Sequence, residues 1–196
     1  LAHAAKSDAN PPVIVDGQVK IIPEVAQALD AYREAGFLGM QTPLAEGGLG
    51  LPYTVVSAIG AVFSAANIAT NGYAFLTSAA ANLIREAGSE QQKKRYLPAM
   101  VDGRWYGTMC LSEPQAGSSL ADIRTIAEPL PDGRYSLRGN KMWISSGDHE
   151  MAENIVHLVL AKIPGGPVGS KGISLFIVPR RQVDAEGGLG ARNGVT

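Results

Sequence analysis

Apolar positions recur every three to four residues in the first half of the chain and every second residue in the second half, so the pattern predicts helices first and strands afterwards. Pro23 suits the first position of a helix whose buried stripe is Val25, Ala28, Leu29 and Tyr32, and Gly36 ends it. From Gly47 to Ile84 there is no Asp, Glu, Lys or Arg, a run of 38 residues. The run predicts two helices, Tyr53 to Ala69 and Ala74 to Ala87, apolar on most faces and separated by Asn71-Gly72. Ser57, Gly60, Ser64, Asn67, Asn71 and Gly72 interrupt every window of the roughly 20 residues that a bilayer span needs, so no membrane span is expected. Helices apolar all round must still be covered, and the rest of the chain is too short to cover both. Contact with another domain or subunit follows. Gly88 terminates the second helix, and Ser89 with Gln92 has capping-box spacing for the segment SEQQKKRYL, whose Lys93, Lys94 and Arg95 read as a solvated face. Pro98 and Asp102-Gly103 close the helical half.

Six candidate strands follow: Trp105 to Leu111, Arg124 to Leu130, Arg134 to Arg138, Lys141 to Ser145, Asn154 to Ile163 and Gly172 to Pro179, all rich in β-branched and aromatic residues. Asp132-Gly133 supplies a hairpin turn, and Pro164 to Gly172 a longer loop. Near the start, Val13 to Val15 and Val19 to Ile22 flank Asp16-Gly17 as a small hairpin. The order of elements argues an α+β chain, with a helical domain over residues 1–104 and a β-barrel-like domain over 105–196.

Composition narrows the partners. A formal net charge of -1 over 196 residues leaves no electrostatic footprint for nucleic acid or an anionic membrane. The single cysteine, Cys110, excludes an internal disulfide and suits a reducing, cytoplasmic setting. LAHAAKSDANPP carries no apolar leader, so no secretory signal is expected. It also lacks an initiator Met, and the Gly-rich segment GGLGARNGVT reads as unfinished; the chain is expected to be a piece of a longer protein.

Several familiar constellations fail on inspection. His149-Glu150-Met151-Ala152-Glu153 misses HExxH at its second histidine, so no metal site is expected. His157 lies in an apolar strand and reads as a core histidine. No GxSxG elbow surrounds Ser118 or Ser119. Glu46-Gly47-Gly48-Leu49-Gly50 reads as a plain turn, and Gly188 to Asn193 departs from the dinucleotide fingerprint at its last position. Two segments remain. CLSEPQAGSSLAD, Cys110 to Asp122, cannot be regular structure, because Pro114 has no N–H, and Gly117 permits close approach of a ligand to the backbone. GNKMWISSGDHE, Gly139 to Glu150, sets the broad plane of Trp143 beside the Ser145 hydroxyl, an arrangement that suits an isoalloxazine ring.

Together these segments resemble the acyl-CoA dehydrogenase family over essentially the whole chain, corresponding to its N-terminal and middle domains without the C-terminal helical domain. The family pattern aliphatic-(Ser/Thr)-Glu-Pro-x-x-Gly-(Ser/Thr)-Asp is matched by Leu111-Ser112-Glu113-Pro114-Gln115-Ala116-Gly117-Ser118, and Lys-x-Trp-Ile-(Ser/Thr)-x-Gly by Lys141 to Gly147. Ser119 stands where the family has Asp, and Asp122 where it has a small residue, so a local rearrangement is expected. The resemblance implies FAD as cofactor, with Met109, Leu111 and Ser112 along the flavin pyrimidine. Gly117 and Ser118 would lie at the flavin and substrate edge, Ser118 toward the CoA arm, with Trp143 over the ring and Ser145 near the hydride-accepting nitrogen. The implied reaction is α,β-dehydrogenation of an acyl-CoA, with the proton-abstracting Glu in the domain not contained here and no catalytic residue in this chain. Glu113 is read as loop-forming. An electron-transferring flavoprotein as acceptor and a homo-oligomeric parent are further implications. The segments DGQVK and SGDHEMAENIVHLVLAKIPGGPVGSKGISLFIVPR resemble the larger bacterial members, including the 3-methylthiopropanoyl-CoA dehydrogenase branch. An acyl-CoA oxidase, a flavin monooxygenase and a non-catalytic flavin-binding or interaction module remain open as alternatives on the same fold.

Overall fold

A computed structural model of the chain describes residues 3–195. Its helical half consists of α1 (Ala4–Ala9), the hairpin β1 (Val13–Val15) and β2 (Gln18–Lys20), α2 (Pro23–Glu34), α3 (Tyr53–Ala87) and α4 (Glu90–Val101). Pro23 opens α2 as predicted, and Val25 and Leu29 are its buried positions. Tyr32 of α2, Phe37, and Phe63 of α3 pack together at 4.8–5.3 Å between ring centroids, Phe63 edge-on to the other two, fixing α2 against α3. The capping box of α4 is complete: Gln92 N–H donates to Ser89 Oγ and Ser89 N–H donates to Gln92 Oε1.

Two helical expectations are corrected. The uncharged run is one long element with a break at Asn67, where φ is -164° and ψ 99°, and Asn71-Gly72 stay helical. Asn67 Oδ1 accepts from Thr70 N–H at 3.1 Å, so Asn67 caps the second segment as a helix N-terminus is capped. Its Nδ2 donates to Ser7 Oγ of α1, which the sequence pattern did not predict. Pro98 does not end α4; the helix runs to Val101 because Tyr96, Leu97, Ala99 and Met100 are all buried in the core, and that burial outweighs the missing amide bond.

The sheet-rich half contains β3 (Trp105–Cys110), β4 (Ile126–Pro129), β5 (Tyr135–Arg138), β6 (Asn154–Lys162), β7 (Ile173–Pro179), β8 (Arg181–Val183) and β9 (Leu189–Arg192). β6 is the centre of a five-stranded sheet. It pairs parallel with β3 from Trp105↔Asn154 to Cys110↔Val159, antiparallel with β7, and at Ile126↔Lys162 with β4, which forms a hairpin with β5. Among the described residues this sheet stays open rather than closing into a barrel. The segment Lys141 to Ser145 is not a strand: Trp143 and Ser146 have φ of 62° and 58°, which no strand tolerates. β9 pairs with β8 around a turn in which Asp184 Oδ1 accepts from Glu186 and Gly188 N–H.

The two halves meet in two buried clusters, one of them formed by Val25, Leu29, Leu38, Ala74 and Tyr106. Trp105, Val156 and Leu158 pack with Ala80, Ala81 and Ile84 of α3 and Tyr96, Leu97 and Met100 of α4. α3 lies so close to β3 that a Cβ on Gly107 would come within 2.7 Å of the Ala80 methyl, and Gly107 N–H donates to Thr77 Oγ1 at 3.0 Å. This contact fixes where β3 ends and therefore where the loop after Cys110 begins. The length and composition of α3 would suffice to cross a membrane; its C-terminal half applies one face to the sheet, with Thr70, Ala74, Thr77, Ala80, Ala81 and Ile84 buried. Its opposite side leaves Tyr53, Val62, Ile68 and Phe75 exposed, so the lateral cover expected from the sequence is not supplied by this chain.

Two histidines are buried without a partner at Nε2. His149 sits edge-on to Tyr73 and Tyr106, each at 5.3 Å, and His157 Nδ1 pairs with Thr108 Oγ1 at 2.7 Å. Burial pushes both down from 6.5 to about 4, with the Arg180 guanidinium adding to the effect on each. Both are therefore neutral in the fold, whereas the unfolded chain takes up protons below about pH 6.5. Stability is complete above that value and falls with acid until about pH 4, by about 1.4 kcal/mol per pH unit for each histidine. Urea unfolding between pH 7.5 and 4.5 should show this slope, and His149→Phe, which keeps a ring against both tyrosines, should reduce it to that of a single histidine. An unchanged slope in the variant would remove His149 from the account.

Candidate functional site

After Cys110 the chain makes a tight turn, closed by Glu113 N–H to the Ala116 carbonyl at 2.8 Å and Ala116 N–H to the Glu113 carbonyl at 3.0 Å. Pro114 and Gln115 occupy its corners, where an amide donor is not needed. The turn drives the Glu113 side chain inward, leaving the residue 6% exposed. One carboxylate oxygen accepts from Thr125 N–H (3.0 Å), Thr125 Oγ1 (2.6 Å) and Lys141 Nζ (2.8 Å). The other accepts from Arg124 N–H (2.6 Å) and Gln115 Nε2 (2.7 Å). Lys141 Nζ also donates to the Leu111 carbonyl at 3.0 Å, and Met142 N–H to the Ser112 carbonyl at 2.9 Å. Three chain segments thus converge on a single anion. Burial alone would raise the Glu113 carboxyl, but the bonds from Lys141, Thr125 and the two backbone N–H groups outweigh it and hold the group at about 2.

Around this clasp lie the residues selected from the sequence. Leu111 and Ser112 are half-buried at the start of the first loop, and Met109 packs partly buried against the core between sheet and helices. Gly117 and Ser118 are exposed, and nothing lies within 4 Å of where a Gly117 Cβ would be, so the loop's outer edge is open to a ligand. Ser119 Oγ donates to Asp122 Oδ2 at 2.6 Å. Trp143 is 85% exposed, with Ser145 exposed two residues on. A tryptophan at positive φ costs roughly 1 kcal/mol or more, and it persists because Lys141 and Met142 are tied to the first loop immediately before it. The structure therefore brings Ser112 next to the Trp143 segment. Among the described residues no hydrogen bond links Gly117 or Ser118 to that segment.

Sequence reasoning treated Glu113 as loop-forming but did not identify Lys141 as its partner, because nothing local signals a pairing 28 residues apart. It also missed Arg180, which is 6% exposed and anchors the far side of the second loop by donating to Asp148 Oδ1 (2.9 Å) and to the His149 (2.6 Å) and Ala152 (3.3 Å) carbonyls. A cavity of about 1340 Å³ is bordered by Cys110, Thr125, Lys141, His157 and Phe176. None of the residues selected from the sequence lines it, so the candidate site is the loop pair and not this cavity.

Two family models match the chain. Residues 14–104 match the family model described as acyl-CoA dehydrogenase, N-terminal domain, and residues 108–193 that described as acyl-CoA dehydrogenase, middle domain. A 3-methylmercaptopropionyl-CoA dehydrogenase of Ruegeria pomeroyi is 39% identical over 91% of this chain and 30% of its own length. A broad-specificity linear acyl-CoA dehydrogenase of Mycobacterium tuberculosis is 39% identical over 97% of the chain and 31% of its own length. The chain thus spans less than a third of the length of these relatives. Among solved structures, an acyl-CoA dehydrogenase complexed with FAD from Bacillus anthracis superposes with a TM-score of 0.67 at 31% identity, covering 80% of this chain and 26% of that one.

Removing one partner of a buried, hydrogen-bonded charge pair leaves the other uncompensated, at a cost of about 3–5 kcal/mol. Glu113→Gln should therefore lower the unfolding free energy at pH 7 by about that amount. The native carboxyl is depressed, so its contribution is present above the unfolded value of 4.5 and is lost as pH falls through about 2. Denaturant unfolding at pH 7 and pH 3 should show the deficit of the variant narrowing in acid; a deficit independent of pH would contradict the assignment.

Proposed function

The chain belongs to the acyl-CoA dehydrogenase family, and on that premise we propose that it supplies the flavin- and thioester-facing part of an FAD-dependent enzyme that dehydrogenates an acyl-CoA at its α and β carbons. The observation that carries this reading is the stapling of the Ser112 loop to the Trp143–Ser145 segment, which sets an exposed aromatic plane and free hydroxyls side by side. The donor set fits a flavin: an aromatic face for its ring, and hydroxyl and backbone donors for its polar edge. When bound, FAD supplies the acceptor for hydride.

The residues of this chain would bind and orient. Trp143 covers one face of the ring and excludes water from it. Ser145 donates its hydroxyl at the edge where negative charge develops on reduction, and a preorganised donor in a dry site stabilises that charge. Ser112, with Met109 and Leu111, holds the polar end of the ring system, and the open edge at Gly117 and Ser118 receives the thioester arm. Glu113 is unsuited to proton abstraction. Its carboxylate is committed to five donors and, held at about 2, is too weak a base at neutral pH. We assign that proton to a carboxylate outside these loops.

Residues 1–104 and 105–196 act as two domains in this reading, a helical platform and a flavin-facing β domain. The exposed apolar side of α3 takes further protein, from the same parent chain or from a second copy. Electrons leave to a soluble acceptor such as an electron-transferring flavoprotein, and the reducing character expected from one buried thiol fits a cytoplasmic setting.

Trp143→Ala should weaken flavin binding roughly tenfold, the loss of an aromatic stacking partner being worth about 1 kcal/mol beyond its buried area. Ser145→Ala should leave binding nearly intact and slow anaerobic flavin reduction by an acyl-CoA by about 10²-fold, as expected for a lost charge-stabilising donor. Equilibrium flavin titration and stopped-flow absorbance separate the two. Normal flavin affinity in Trp143→Ala together with normal reduction in Ser145→Ala would sink the reading.

A further inference from the structure

Glu113 and Lys141 lie inside the loop pair and are nearly excluded from water, with side-chain exposures of 3% and 11%. Every hydrogen bond described between the two loops runs through residues 111–113 on one side and 141–142 on the other: Lys141 Nζ to Glu113 and to the Leu111 carbonyl, and Met142 N–H to the Ser112 carbonyl. Ser112 directly precedes the anion of this pair, and Trp143 follows two residues after its cation. Trp143 itself has a left-handed backbone. A shift of the Lys141 ammonium therefore moves the tryptophan and the serine hydroxyl relative to each other.

We infer that the buried Glu113–Lys141 pair is the positioning device of the flavin site: it fixes the separation between Ser112 and the Trp143–Ser145 segment while presenting no net charge to the ring. The inference rests on the flavin reading above. It commits both charges to distinct consequences, since a flavin gains negative charge on reduction. Removing the carboxylate leaves an unpaired ammonium behind the ring and favours the reduced form; removing the ammonium leaves an unpaired carboxylate and disfavours it. A pair serving only to stabilise the fold would loosen the site in the same sense whichever partner was lost.

The test uses the flavoprotein as purified, with Lys141→Met, Glu113→Gln and the conservative Lys141→Arg. Lys141→Met keeps most of the aliphatic stem and leaves the four remaining donors on Glu113, so it is informative even if Glu113→Gln folds poorly. Flavin dissociation should rise roughly 10- to 100-fold in Lys141→Met, the range seen when an outer support of a bound cofactor is removed, with recovery in Lys141→Arg. The flavin midpoint potential should move down in Lys141→Met and up in Glu113→Gln. Unmodified protein that binds flavin, with Lys141→Met matching it in affinity and potential, overturns the positioning role. Potentials displaced in the same direction in both variants overturn the charge-balance part. Failure of the unmodified protein to bind flavin overturns the functional reading itself and is distinguished by that control.

Discussion

One buried carboxylate determines how the two loops of this protein meet. Glu113 would be costly to bury as an isolated anion, and its burial is tolerated because five donors satisfy it. That requirement works in both directions. The donors come from the same loop, from the two residues preceding β4, and from Lys141, so satisfying the anion positions all three segments at once. Conformational choices that would be unfavourable locally, above all the left-handed Trp143, are then enforced by the same bonds.

The clasp in turn needs a fixed origin, which the helical half provides. α3 is pressed against β3 at Gly107, where no side chain intervenes, and Thr77 bonds directly to the strand backbone. β3 then delivers Cys110 and the first loop at a position set by helix packing. The second loop is held from the opposite direction by Arg180, whose buried guanidinium gathers the carbonyls of His149 and Ala152 beside Asp148. Loops carrying functional groups are thereby mounted on rigid elements at both ends, the arrangement a site requires if its groups are to hold their geometry.

Acid acts on this architecture at two levels. The buried histidines respond between about pH 6.5 and 4 and concern the core beneath the second loop, whereas the Glu113 clasp persists until the carboxylate is protonated well below that range. Loss of core stability therefore precedes loss of the clasp, because burial opposes charge on an imidazole while the five donors favour charge on the carboxylate.

The sequence by itself determined the order of helices before strands, the stripe of α2, the capping box of α4, the β4–β5 hairpin and the two polar loops, since each is written in residues close together along the chain. It also identified the family through two short motifs in order. What it could not determine are features decided by partners far apart in sequence. The break of α3 falls at Asn67 and not at Asn71-Gly72 because Asn67 both caps the following turn and meets Ser7. Pro98 stays helical because its neighbours are buried. Lys141 to Ser145, extended by composition, is irregular because Lys141 turns inward to an anion 28 residues upstream. Periodicity reports which residues prefer the interior; only the tertiary structure decides which buried charge finds which partner, since that pairing depends on three-dimensional distance and on the desolvation that makes an unpaired charge intolerable.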